Sequence, residues 1–149
     1  MTERPIAAFY ACVEVAIQEQ AVSLDCPNPL VWLAEIARCM GKIAGAVLWN
    51  KAVPTKGVQE AREALVATAA LIVGFNEWLK PRSYAARGLE INWTKINTPE
   101  KSAEPLEYYA LIVEEVGRFV ATSNVLHLAN AYAWCATLWE LLTPTPCES

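Results

Sequence analysis

Several side chains in the second half of the chain have the types and spacing needed for acid–base or ligand-binding chemistry. Glu114 and Glu115 are neighbours in one predicted helix, and His127, the only histidine, begins the next one. A carboxylate beside an imidazole can orient the ring as a general base. A lone histidine at the start of a helix is more often structural, so we assign no catalytic residue and keep His127 as a candidate ligand contact.

Two basic residues hold equivalent places in two predicted helices. Lys42 and Arg118 each directly follow a glycine. If both face a shared cleft, they can pair with the phosphate oxygens of a ligand. The alternative is that each side chain extends from its helix into solvent, as long basic side chains commonly do.

The elements that must position these residues are predicted to be helices. Apolar residues recur at spacings of three and four in five segments, and none shows the sustained alternation of a strand. Asn28 and Pro29 have the residue types of a helix cap and a first helical turn, while Pro81 and Pro144 end the third and fifth helices. The chain is therefore predicted to be an all-α bundle of about five to six helices.

Each predicted helix has an apolar stripe that should face the core. In the fourth helix the expected core residues are Leu106, Tyr109, Val113, Val116 and Val120. Cys12, Cys39 and Cys135 lie inside helical patterns, where cysteine serves as a small core residue. Gly41 and Gly45 each cost about 1 kcal/mol of helix propensity relative to alanine, and we expect another helix backbone to approach closely there.

Composition indicates one globular domain, 1–149. Of the 149 residues, 54% are apolar and 19% are charged, which is enough apolar material for a single core. The net charge of -4 disfavours binding to nucleic acid, and no apolar stretch reaches the roughly 20 residues that span a bilayer.

The cysteines form no disulfide or metal pattern and the N-terminus is unlike a signal peptide, so we expect a cytoplasmic protein. Helices with two apolar faces also predict a homodimer.

The second and fourth predicted helices match without a gap. Segment 29–44 set over segment 105–120 pairs identical Pro, Leu, Ala, Ile and Gly residues, and it pairs the two basic residues named above. The helices that follow also align. We interpret the chain as two related helical hairpins, about 29–80 and about 105–143, joined by a loop or short helix over 81–104. The alternative is that two amphipathic helices match by chance.

The first of these helices resembles the metal-binding helix of the MazG-like nucleotide pyrophosphohydrolases. Segment Trp32–Ala44 has the Trp-Leu start that precedes a Glu-Glu-x-Gly-Glu core in that family, and Glu63–Leu79 is similar to the family's next helix. The second copy keeps more of the core, as Glu114-Glu115-Val116-Gly117-Arg118, followed by His127-Leu-Ala-Asn130 where the family pattern has Glu-Leu-Ala-Asp. The resemblance covers somewhat over half of the chain and implies the family's all-α fold.

The resemblance places the family's metal ligands at positions that are mostly not acidic here. The family holds Mg²⁺ with four carboxylates from two helices, paired at i and i+3. The matching residues are Cys39, Lys42, Ala64 and Ala67 in the first copy and Glu115, Arg118, His127 and Asn130 in the second. We therefore expect no metal site and no hydrolysis, unless the true register uses Glu60 and Glu63, or Glu114 and Glu115.

These departures favour a catalytically degenerate protein that binds or sequesters a small phosphorylated ligand, such as a nucleotide, without hydrolysing it. One alternative is an active metal-dependent pyrophosphohydrolase with a shifted acidic site, and another is a protein-interaction or inhibitory helical module. No cofactor is expected, apart from Mg²⁺ under the first alternative. The candidate ligand-binding residues are Lys42, Glu114, Glu115, Arg118, His127 and Asn130.

Overall fold

The computed structural model describes residues 2–5, 7–19, 28–49, 54–82, 91–98 and 104–142. This part of the chain contains five helices and two short strands. The elements are β1 (Thr2–Pro5), α1 (Ala7–Glu19), α2 (Pro29–Trp49), α3 (Pro54–Leu79), β2 (Lys95–Thr98), α4 (Pro105–Thr122) and α5 (Leu126–Leu141). The predicted helical bundle is confirmed, while residues 83–90 and 99–103 of the predicted loop or short helix lie outside the described residues.

The helices pack as two hairpins. α2 lies along α3 and α4 lies along α5, and these are the most extensive helix contacts of the described residues. The hairpins meet through α3 and α5, with a smaller contact between α2 and α4, and α1 packs on α3. The core therefore lies where the two hairpins face each other.

α5 is the central helix of the bundle. From residue 128 to residue 138, all but two side chains are buried. Tyr132 contacts Phe9 and Trp93, with ring centroids 5.5 and 4.9 Å away. A helix that is apolar on every side is stable only when other elements surround it. Even so, none of the described helices is long and apolar enough to cross a bilayer.

The helix ends follow the residue types that predicted them. Asn28 caps α2, because its side-chain Oδ1 accepts a hydrogen bond from the backbone N–H of Leu30 at 2.9 Å. Pro29 occupies the first helical position, where its missing N–H costs nothing. α3 ends at Leu79, just before Pro81, as predicted.

A two-stranded antiparallel ribbon adds to the bundle and was not predicted. β1 pairs with β2 in a register that runs from Thr2↔Thr98 to Pro5↔Lys95, and β2 contacts α5. Each strand has four residues, too few for an alternating pattern to stand out, and the partners are distant in sequence. Part of the connection over 81–104 is therefore an extended strand.

The face of α4 that meets the core differs from the prediction. Tyr108, Ile112 and Phe119 are buried. The residues of the predicted stripe that are exposed instead are Leu106, Val113 and Val120. α4 has apolar residues on two faces, and the face that contains the aromatic rings fills the core, where Phe119 contacts Phe75 at 5.6 Å.

Two smaller expectations about the core are wrong. Gly41 is exposed, and nothing lies within 4 Å of the position that a Cβ would take there, so no other helix of the described part of the chain approaches it. Cys12 is exposed on α1, whereas Cys39 and Cys135 are buried as predicted. In both cases the position falls on the solvent side of a helix whose opposite side faces the bundle.

The aligned helices α2 and α4 share their burial pattern. From residue 30 to residue 38, every side chain has the same degree of burial as its counterpart from 106 to 114. Lys42 and its counterpart Arg118 are both exposed. This agreement is what two related hairpins would give, and the internal repeat stays a prediction.

Candidate functional site

The structure brings three of the candidate residues together between α4 and α5. The Nδ1 atom of His127 lies 2.8 Å from Oε2 of Glu115, and the Nδ2 atom of Asn130 donates to the same oxygen at 3.3 Å. Because an ionised carboxylate only accepts, Nδ1 of His127 is the donor of this hydrogen bond. Both side chains of the His–Glu pair are largely buried, with 21% and 12% of their surface exposed.

Arg118 contacts this group through the carboxylates of Glu114 and Glu115. Its guanidinium forms an ion pair with Glu114 one turn earlier and lies 3.9 Å from Glu115. Two carboxylates therefore already neutralise the guanidinium of Arg118. A phosphate group would have to compete with both of them, so the α4–α5 cluster, as it stands, is a poor anion site.

Lys42 lies in a different place, in a cleft between α2 and α3. The cleft has a volume of about 710 Å³. Its described lining residues are Arg38, Cys39, Lys42, Gly45, Ala46, Glu60, Glu63, Ala64 and Ala67. None of these residues comes from α4 or α5. Lys42 and Arg118 therefore do not face this cleft together, and only Lys42 among the candidate residues has access to it.

The α2–α3 cleft exists because its facing residues are small. Cys39, Ala64 and Ala67 are the counterparts, in the aligned hairpins, of Glu115, His127 and Asn130. In the α4–α5 hairpin the larger side chains meet across the gap through hydrogen bonds. In the α2–α3 hairpin a thiol and two methyl groups leave that space empty of side chains, and the cleft opens there.

The two walls of the cleft carry opposite charges. Arg38 and Lys42 belong to α2, and Glu60 and Glu63 belong to α3. Arg38 pairs with Glu35 at 2.8 Å on its own helix, and Glu63 accepts a hydrogen bond from Gln59 at 3.0 Å.

The cations and carboxylates of the two walls do not neutralise each other. Among the described residues, neither Lys42 nor Glu60 forms an ion pair or a hydrogen bond through its side chain. The cleft therefore offers one ammonium and one carboxylate, on opposite walls, that are open to a ligand.

Cys39 lies at the base of the cleft. Burial raises the pKa of its thiol, against the smaller opposing effects of Arg38 and Lys42. A thiol with a raised pKa is mostly protonated near neutral pH and is a weak nucleophile. Cys39 therefore shapes the cleft rather than supplying covalent chemistry.

A smaller cavity of about 250 Å³ adjoins the cleft on the side of α1. Arg38, Cys39 and Ala67 line both spaces. The remaining described residues of the smaller cavity include Ala16 and Glu19 from α1. The two cavities together form a groove that runs along the α2–α3 hairpin and reaches α1.

The donor atoms of the cleft are few for a metal site. No group of three or more His, Cys, Asp or Glu side chains in the described ranges is arranged to hold a metal ion. Glu60 and Glu63 supply two carboxylates at i and i+3 on α3. Mg²⁺ can be held by two protein carboxylates when substrate phosphates and water complete its shell, which keeps the predicted alternative testable.

Three residues of the cleft were not predicted as ligand contacts. Glu60 and Glu63 were named only as an alternative pair of metal ligands, and both face the cleft from the second and third turns of α3, which begins at Pro54. Arg38 was not singled out, although it lies one turn before Lys42. The sequence feature that could have indicated the cleft is the pair of alanines Ala64 and Ala67, whose small side chains leave space beside the charged residues of α2 and α3.

Compared with models of protein families, with curated proteins and with solved structures, the chain gives no match.

Proposed function

We propose that this protein binds a small phosphorylated ligand, such as a nucleotide, in the α2–α3 cleft and does not hydrolyse it. The observation that carries the proposal is the open cleft lined by Lys42 and Arg38, at the positions where the resemblance to the MazG-like family places a metal site. The protein would then be a degenerate relative of those enzymes, in which a cation of the chain contacts phosphate directly.

The size and charge of the cleft suit such a ligand. A volume of about 710 Å³ lies within the range of small-molecule sites. The ammonium group of Lys42 would contact the phosphate, while Arg38 beside it stays paired with Glu35. Glu60 and Glu63 on the opposite wall would accept hydrogen bonds from hydroxyl or amino groups at the other end of the ligand.

The same residues argue against turnover. Activation of water for phosphate hydrolysis needs metal ions or a positioned base. The cleft supplies two carboxylates, whereas the MazG-like family uses four to hold its metal. Burial also keeps the thiol of Cys39 protonated. His127, which is oriented by Glu115, belongs to the other hairpin and does not line this cleft.

Calorimetric titration with nucleoside mono-, di- and triphosphates in EDTA tests the proposal. We expect binding of at least one of them, and we expect Lys42→Ala to weaken it by roughly tenfold, because a charge-assisted contact is lost. Lys80→Ala is the matched control, since Lys80 is a lysine of the α3 end that pairs with Glu77 away from the cleft. Absence of binding to every nucleotide, or equal affinities of the two variants, would refute the proposal.

A second function is favoured by the position of Glu60 and Glu63 in the cleft. They could serve as a shifted acidic pair that holds Mg²⁺ against substrate phosphates. Pyrophosphate release from nucleoside triphosphates with Mg²⁺ would establish this function. This function requires that Glu60→Gln and Glu63→Gln each abolish pyrophosphate release. If the unaltered protein releases no pyrophosphate from any of the nucleoside triphosphates, hydrolysis of those substrates is excluded.

A further inference from the structure

The α2–α3 cleft and the smaller cavity that adjoins it contain more carboxylates than cations. Two basic and four acidic side chains are found among the described residues that line the two spaces, which gives this lining a formal charge of −2. They are Arg38 and Lys42 against Glu19, Glu35, Glu60 and Glu63. A ligand that binds here meets a surplus of negative charge, which limits how much negative charge it can itself carry.

Of these two cations, Lys42 is the one that is open to a phosphate. Arg38 binds Oε2 of Glu35 on its own helix through two nitrogens, Nε at 2.9 Å and Nη2 at 2.8 Å. Lys42 has no side-chain partner among the described residues. Its ammonium group can contact one phosphate group. The further phosphates of a di- or triphosphate would find no second free cation in the described part of the lining.

On the opposite wall, Glu60 is the carboxylate that is open to hydrogen-bond donors. Glu63 already accepts a hydrogen bond from Nε2 of Gln59 at 3.0 Å, whereas Glu60 has no such partner among the described side chains. An ionised carboxylate only accepts, and two adjacent N–H donors, one for each oxygen, bind it most strongly. The group of the ligand that faces Glu60 should therefore present a pair of N–H donors.

The surface between the two walls is small and apolar. Cys39 and Ala64 are buried there, and Ala67 is partly buried. A flat ring can lie on these side chains, because small-molecule sites combine apolar surface with a few polar groups. Among the common bases, guanine alone offers two adjacent N–H donors, N1–H and the 2-amino group. Adenine and cytosine place an acceptor nitrogen beside their amino group, and that nitrogen would repel a carboxylate oxygen.

We propose that the ligand of the cleft is a guanine nucleoside monophosphate, with its phosphate on Lys42 and the N–H edge of its base on Glu60. This inference rests on the proposed function and narrows the phosphorylated ligand to one class. Each negative charge added to the phosphate should weaken binding roughly threefold, the repulsion of two unit charges about 7 Å apart in water. Because Glu60 is exposed and water competes for it, the preference for guanine should be moderate.

Calorimetric titration with GMP, GDP and GTP tests the charge argument. The titrations are made in EDTA, because Mg²⁺ would neutralise the additional phosphates. We expect the affinity to fall in that order, by roughly tenfold from GMP to GTP, since two charges are added. Tighter binding of any other nucleotide than of GMP, GTP included, overturns this inference alone. Absence of binding by every nucleotide removes the proposed function as well.

Inosine monophosphate tests the contact with Glu60, because its base keeps N1–H and lacks the 2-amino group. We expect GMP to bind about tenfold more tightly than inosine monophosphate, the effect of one hydrogen bond to a carboxylate. Glu60→Gln should remove this preference and should also raise the affinity for GTP relative to GMP. Glu77→Gln is the matched control, an exposed glutamate of α3 that pairs with Lys80 outside the cleft, and it should keep both preferences. A preference for GMP that persists in Glu60→Gln, with unchanged helix content by circular dichroism, shows that the assignment of Glu60 is wrong.

Discussion

At the scale of single residues, Glu115 is the point on which the polar contacts of the α4–α5 hairpin converge. Its carboxylate accepts from His127 and Asn130 and lies 3.9 Å from Arg118. The resemblance to the MazG-like family pointed to Glu115 as a former metal ligand. The structure instead gives it three partners within the chain, which makes a contribution to stability its best supported role.

We expect Glu115→Ala to lower the free energy of unfolding by about 1 to 2 kcal/mol, because the largely buried His127 would lose its acceptor. Urea denaturation at pH 7 measures this change. Glu14→Ala is the control, since Glu14 is exposed on α1, and it should change stability by less than about 0.5 kcal/mol. Similar losses in the two variants would contradict the assigned role of Glu115.

Lys42 illustrates what residue types could and could not predict. Its position after a glycine and its match to Arg118 left open whether the two side chains share a cleft or extend into solvent, and the structure shows both exposed. Their different surroundings depend on the facing helix. Alanines opposite Lys42 leave a cleft, whereas His127 and Asn130 close the corresponding space beside Arg118.

At the scale of elements, α2 contains a glycine that no packing contact explains. Gly41 is exposed in the interior of the helix with open space around it. The sequence correctly gave the start of α2 at Pro29, because capping and proline geometry act locally. The surroundings of Gly41 depend on other helices, and local signals do not report them.

Gly41→Ala should raise the free energy of unfolding by roughly 0.5 to 1 kcal/mol, because alanine removes backbone freedom from the unfolded chain without meeting another atom. Thermal or urea unfolding measures the gain. Ala37→Gly provides the reverse test at an exposed position of the same helix and should lose a similar amount. A loss of stability in Gly41→Ala would show that a close contact exists after all.

At the scale of the whole molecule, Phe75 connects the two hairpins. Its ring lies nearly parallel to Trp32 at 5.7 Å and meets Phe119 edge-on at 5.6 Å. It is 1% exposed, and its neighbours come from α2 and α4. The hairpins are therefore expected to unfold together rather than one after the other.

We expect Phe75→Ala to destabilise the protein by about 3 to 5 kcal/mol, the usual cost of emptying a buried aromatic site. Unfolding followed by tryptophan fluorescence and by circular dichroism should show one coincident transition at a lower denaturant concentration. Leu30→Ala is the control, since Leu30 is 66% exposed on α2, and it should have little effect. Two separate transitions in the unaltered protein would refute the idea of one cooperative unit.

The sequence alone determined the helices, the start of α2 and the end of α3, because periodicity and capping are properties of neighbouring residues. It also placed Glu115 in one predicted helix and His127 and Asn130 in the next one. Only the tertiary structure decided which face of α4 meets the core, because both faces are apolar and the choice rests on how Phe119 fits against Phe75. It also decided that Lys42, Glu60 and Glu63 line one cleft, since a cleft depends on what the opposite wall leaves unfilled.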